Sequence, residues 1–88
     1  MSQVWKYPVA LDPVFIQDIP EGAQFLDCQY QRASGTPQMW WRVDPGRPLV
    51  KRTFLVVDTG QDMPDAARYL ATFEVGGYVG HLFVFEVL

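Results

Sequence analysis

The sequence predicts an all-β fold, an antiparallel sandwich or partly open barrel of about six or seven short strands with at most one short helical turn. Three observations carry that expectation. Seven prolines and seven glycines punctuate the chain, at intervals of about ten residues. The runs between them are short and rich in β-branched and aromatic residues, the side chains that suit a pleated sheet. No segment shows the spacing of three and four that gives a helix an apolar stripe.

Val4 to Tyr7 reads as a first strand, with Trp5 and Tyr7 on one face and Pro8 as its stop. Val14 to Ile19 is a second extended run, leading into Ile19-Pro20-Glu21-Gly22. Proline at the second position and glycine at the fourth fit a type I turn. From Ala23 to Gln31, alternation sets Leu26, Cys28 and Tyr30 on one face, with Gln24 at its wetter start. Asp27, Gln29 and Gln31 take the other, as in a half-buried strand.

Arg32 to Pro37 is a loop, and Gln38 to Val57 follows as two apolar runs joined by Asp44-Pro45-Gly46-Arg47-Pro48. Read locally, this is an aromatic hairpin with a basic tip. A period of two puts Met39, Trp41 and Val43 on one face and Gln38, Trp40, Arg42 and Asp44 on the other. Val50 to Val57 is apolar on both faces, which predicts a strand held between two layers or at an interface. Asp58 to Arg68 reads as a loop in which Asp65 to Arg68 makes one helical turn. Tyr69 to Val75 and Tyr78 to Val87 form a hairpin around Gly76-Gly77, a dipeptide that accepts the positive φ angles of a tight turn.

Eighty-eight residues suit one domain, spanning 1–88, and leave no linker for a second. Hydrophobic residues make up 49% of the chain and charged ones only 19%, more apolar surface than so short a chain buries within itself. A homo-oligomer, most simply a symmetric dimer, is the expected outlet. The net charge of −3 argues against general nucleic-acid binding, which needs an excess of cations to displace counterions. One cysteine makes no internal disulfide, and no run has signal-peptide or membrane-span character. A cytoplasmic protein with no membrane partner is therefore expected.

Several short islands are informative in combination: Trp5-Lys6-Tyr7-Pro8, Ile19-Pro20-x-Gly22-Ala23, Met39-Trp40, Val43-Asp44-Pro45, Arg52-Thr53-Phe54, Thr59-Gly60, Tyr69-x-x-Thr72-Phe73 and His81-x-Phe83. In this order they resemble a family of small phage and prophage proteins of unknown function. The resemblance implies a phage-type protein acting in a bacterial cytoplasm and brings no catalytic residues with it. The family's tryptophan matches Trp40; small or aliphatic residues follow it there, where this chain has Trp41 and Arg42.

The candidate ligand-binding residues are Trp40, Arg42, Arg47, Lys51 and Arg52. A tryptophan beside an arginine can stack on a planar ring while the guanidinium pairs with phosphate or carboxylate. The competing reading makes Trp40 a cover for a neighbouring strand or subunit and the basic turn a charged guard on a sheet edge. His81, among Val79, Phe83 and Phe85, reads as a hydrogen-bonded structural residue before a base. Cys28 reads as a small buried hydrophobe, and the Asp58/Asp62 loop is a weak acid–base or metal signal. With one histidine and one cysteine, no zinc-type cluster is expected. No phosphate loop, nucleophile elbow or dinucleotide fingerprint is present, so no cofactor is expected.

Three functions fit these residues. The first is a non-enzymatic oligomer that sequesters an anionic small molecule, for a phage protein a host immune signalling nucleotide. The second is an inhibitor or adaptor that docks on a host or phage protein. The third is a small hydrolase built on His81 and the Asp58/Asp62 loop. Non-enzymatic binding is the leading expectation.

Overall fold

The computed structural model describes residues 1–86. Seven strands form two antiparallel sheets: β1 (Gln3–Pro8), β2 (Val14–Pro20), β3 (Gln24–Gln31), β4 (Thr36–Val43), β5 (Leu49–Asp58), β6 (Ala67–Val75) and β7 (Tyr78–Phe85). One sheet has the order β1-β4-β3 and the other β2-β5-β7-β6. The predicted alternatives thus resolve in favour of a sandwich, with extents of 38 × 33 × 16 Å, the short axis being that of two stacked sheets. Among the described residues no helix is long and apolar enough to cross a membrane.

The core follows from alternation on the two central strands. Met39, Trp41 and Val43 of β4 point inward, as do Phe54 and Val56 of β5, together with Leu82 and Val84 of β7. Trp41 lies edge-on to both Phe25 and Phe54, with ring centroids 5.3 and 6.0 Å away. Phe15 stacks on Phe54 at 5.0 Å. Gly80 is required where it stands, because a Cβ there would come within 2.5 Å of the Phe73 ring.

Four local expectations change. The stretch 38–57 is not a hairpin: β4 pairs with β1 and β3, whereas β5 pairs with β2 and β7. Residues 44–48 are a corner where the chain leaves one sheet for the other. The corner lies beside the 20–23 crossing, with the Glu21 amide donating to the Pro48 carbonyl at 2.8 Å. The turn there is shifted by one residue, from Pro20 to Ala23 (Ala23 N–H to Pro20 O, 3.2 Å), so Gly22 occupies the third position with φ +79°. That is the type II requirement in place of type I.

Leu26 does not share the buried face of Cys28. A bulge between Phe25 and Asp27 adds a residue, so Phe25 and Cys28 face the core and Leu26 is exposed. Asp65 to Arg68 forms a turn leading into β6 without a helical segment. The Gly76-Gly77 hairpin is as expected, with φ angles of 54° and 84° and Val75 paired to Tyr78. Its expected end at Val87 lies outside the described residues.

Candidate functional site

The structure distributes the five sequence-predicted residues over four places. Trp40 and Arg42 lie on the outer face of the three-stranded sheet, where Lys6 and Asp27 flank Trp40 as its cross-strand partners. Lys51 lies on the outer face of the other sheet and reaches its cross-strand partner Asp18, Nζ to Oδ1 3.2 Å. Arg47, at the corner, forms a salt bridge with Glu21. Arg52 turns inward. Only Trp40 and Arg42 remain together, and the basic tip is divided among separate carboxylate partners.

Arg52 stands apart from the others. Alternation on β5 puts it on the face of Phe54 and Val56, and its residue is only 7% exposed. Its guanidinium carbon lies 5.5 Å from the centroid of the Trp41 ring, a cation–π distance. Its Nε is buried with no hydrogen-bond partner among the described residues. Burial pulls the Arg52 guanidinium below its ordinary pKa; Glu86 opposes that effect and Arg68 adds to it. A desolvated cation lacking a full set of acceptors is costly, and an anion arriving at it recovers much of that cost.

Arg52 lines an open cleft of about 880 Å³ between the two sheets. The crossing Glu21 to Ala23 forms one wall, Phe25 and Val50 contribute apolar surface, and Arg68, Leu70 and Glu86 close the other side. The two edge strands that meet here each carry a bulge, β3 after Phe25 and β6 between Tyr69 and Ala71. Bulges bend and twist a strand locally, and these two lie next to cleft-lining residues. Both carboxylates of the lining are already engaged, Glu21 with Arg47 and Glu86 with Arg68 at 3.0 Å. Among the described residues, Arg52 is the cation of the cleft without a salt bridge.

Of this site, sequence reasoning identified Arg52 and missed Arg68, Glu86, Phe25 and Leu70. One usable signal was the phase of β5: Arg52, Phe54 and Val56 are two apart, which already assigns an arginine to an apolar face. The contributions of β3, β6 and residue 86 depend on sheet order and carried no local signal.

The remaining candidates are tied into the fold. His81 sits between two threonines, Nε2 to Thr59 Oγ1 at 2.8 Å and Nδ1 to Thr72 Oγ1 at 2.9 Å. Tyr69 extends that chain to Thr72 at 2.9 Å. Asp58 accepts a 2.7 Å hydrogen bond from the Tyr78 hydroxyl, which, ahead of burial, raises the tyrosine pKa. Cys28 is buried, and burial, reinforced by the charge of Asp27, pushes its thiol up to about 11. A thiol so shifted is a poor nucleophile near neutral pH. Among the described residues no group of three or more His, Cys, Asp or Glu side chains is placed to hold a metal ion.

No significant match joins the chain to a curated protein or to a solved structure. A family match does, and it covers the two sheets, the cleft and the corner alike: over residues 1–87 the chain fits DUF7352, a domain of unknown function, and belongs to that family.

Proposed function

We propose that this protein is a non-enzymatic binding module that takes a small anionic molecule into the cleft between its sheets. One observation carries the reading. Arg52 is buried against the Trp41 ring at the side of an open cleft with an unpartnered Nε. The lining supplies a guanidinium, aromatic and aliphatic walls, and two carboxylates held in salt bridges. Such a set favours a phosphate or carboxylate attached to a ring or apolar body. A nucleotide fits that description, and the resemblance to phage proteins adds host immune signalling nucleotides as candidates for sequestration in a bacterial cytoplasm.

The test is the thermal stability of the wild-type protein and of Arg52→Met against inorganic phosphate, aromatic carboxylates, cyclic nucleotides and ADP-ribose-type nucleotides. A ligand that binds the native state raises stability by about 2.7 kcal/mol at a hundred times its Kd. At least one probe should raise the wild-type melting temperature and leave Arg52→Met unmoved. Methionine preserves most of the buried bulk and removes an incompletely paired charge, so the variant without ligand should be as stable as wild type or more so. An unresponsive wild type across the panel overturns the reading, as does an equal rise in the variant.

The second reading is an inhibitor or adaptor of a host or phage protein. Its support is the outer face of the four-stranded sheet, where one apolar row crosses all four strands.

A further inference from the structure

The outer face of the β2-β5-β7-β6 sheet carries one unbroken apolar row. Val14 pairs with Leu55, Leu55 with Phe83, and Phe83 with Tyr69, so a single line of side chains crosses all four strands. Ile16 lies two residues along from Val14, and Phe85, beside Ala67, two along from Phe83. Val14, Ile16 and Tyr69 are 54, 61 and 55% exposed. Tyr69 and Phe83 meet edge to face at 5.6 Å, a rigid aromatic pair of the kind enriched at interface centres.

We infer that this face is a dimer interface and that its occupant is the same face of a second copy. Charge and size point to a copy. Lys51, the cation nearest the row on β5, is neutralised within its own chain by Asp18, so the face asks for an apolar complement without a charge pattern. An isologous contact supplies one, because a two-fold axis sets apolar row on apolar row. The strands are 7, 10, 9 and 8 residues long. At roughly 4.8 Å between strands and 3.4 Å per residue, the sheet outline is about 500 Å² per copy. Two copies that cover the whole outline bury about 1,000 Å², the lower limit for a specific interface and the size of a weak, dilution-sensitive dimer. The opposite face of the sandwich offers no such row, since Lys6, Arg42, Gln24, Asp27 and Gln29 interrupt it.

This dimer does not depend on a ligand in the cleft, which opens between the sheets and shares Tyr69 alone with the apolar row. The test is therefore made without ligand, by sedimentation or light scattering over a wide dilution series. Wild type should show twice the chain mass, falling to the chain mass on dilution. Ile16→Lys and Tyr69→Lys, both at exposed positions, should keep the native far-ultraviolet spectrum and weaken self-association on the order of tenfold each or more. Val4→Lys, on the outside of the other sheet, should leave it unchanged. Chain mass at every concentration overturns the inference, as does a dimer broken by Val4→Lys and indifferent to Ile16→Lys and Tyr69→Lys. A monomer that captures a different protein through Tyr69 overturns it too, in favour of an adaptor.

Discussion

The two outer faces of the sandwich are built by the same alternation and end in opposite states. On the three-stranded sheet, β4 sends Met39, Trp41 and Val43 inward and leaves Trp40 and Arg42 outside, among Lys6, Asp27 and Gln29. On the four-stranded sheet, the middle of β5 and β7 is apolar on both faces, so Phe54, Val56, Leu82 and Val84 fill the core while Leu55 and Phe83 remain outside. One exterior is thus interrupted by polar side chains throughout, and the other carries an unbroken apolar row. Val14, Ile16, Leu49, Tyr69 and Val79, all exposed, share the four-stranded exterior, which is how a surface prepared for contact differs from scattered exposed side chains.

The comparison is broken most severely at adjacent tryptophans. Trp41 is fully buried between Phe25, Phe54 and Arg52, whereas Trp40 lies on the solvated exterior between Lys6 and Asp27. Trp41→Ala should cost about 3–5 kcal/mol in denaturant unfolding, a large part of the stability of a small domain. Trp40→Ala should cost about 1 kcal/mol or less. Equal losses at the two positions would mean that the exterior of the three-stranded sheet is covered after all.

A middle-sized effect tests the inner face of the same sheet through Cys28. Its thiol is pushed from an ordinary 9 up to about 11 by burial and by the neighbouring Asp27. The folded state therefore holds the proton more tightly than the unfolded chain. Its contribution is fully present below pH 9 and is lost as pH rises from 9 through 11, by up to about 3 kcal/mol. Denaturant midpoints for wild type and Cys28→Ser, measured from pH 8 upward, should show a steeper alkaline fall for wild type. Parallel curves would place the thiol in contact with water.

Strand positions were legible because each depends on a few neighbouring residues. Alternation located β1, β2, β3 and β5 to within about a residue at their ends, and Gly76-Gly77 marked its hairpin because both residues need positive φ. Pairing was not legible at the 44–48 corner. Two apolar runs around Asp-Pro-Gly-Arg-Pro have the same local pattern whether the chain returns beside itself or crosses to a second sheet. What decides is distant: β5 finds β2 and β7, and β4 finds β1 and β3. The site was lost with the pairing. Treated as the tip of a hairpin, Arg52 belongs with Arg47 and Lys51; on its strand in the sandwich it belongs with Trp41, Arg68 and Glu86.

The smallest expected effect tests how much of the basic turn still matters. Arg47 and Glu21 join two of the three crossings between the sheets, and both side chains are about half exposed, at 53 and 49%. The backbone already connects these crossings through the Glu21 amide and the Pro48 carbonyl, so the ion pair adds to a contact that exists without it. Solvent-exposed pairs typically contribute about 0–1 kcal/mol and lose strength in salt. Arg47→Ala should therefore lower stability by less than about 1 kcal/mol, and less again at high ionic strength. Self-association should not change, because the corner lies away from the Val14, Leu55, Phe83 and Tyr69 row. Ligand response is the sharper readout. Removing Arg47 frees the Glu21 carboxylate at the cleft wall and should weaken binding of an anion at Arg52 modestly, by repulsion, with the difference fading as salt is raised. Complete loss of binding in Arg47→Ala would make the corner, and not the inter-sheet cleft, the place where the anion sits.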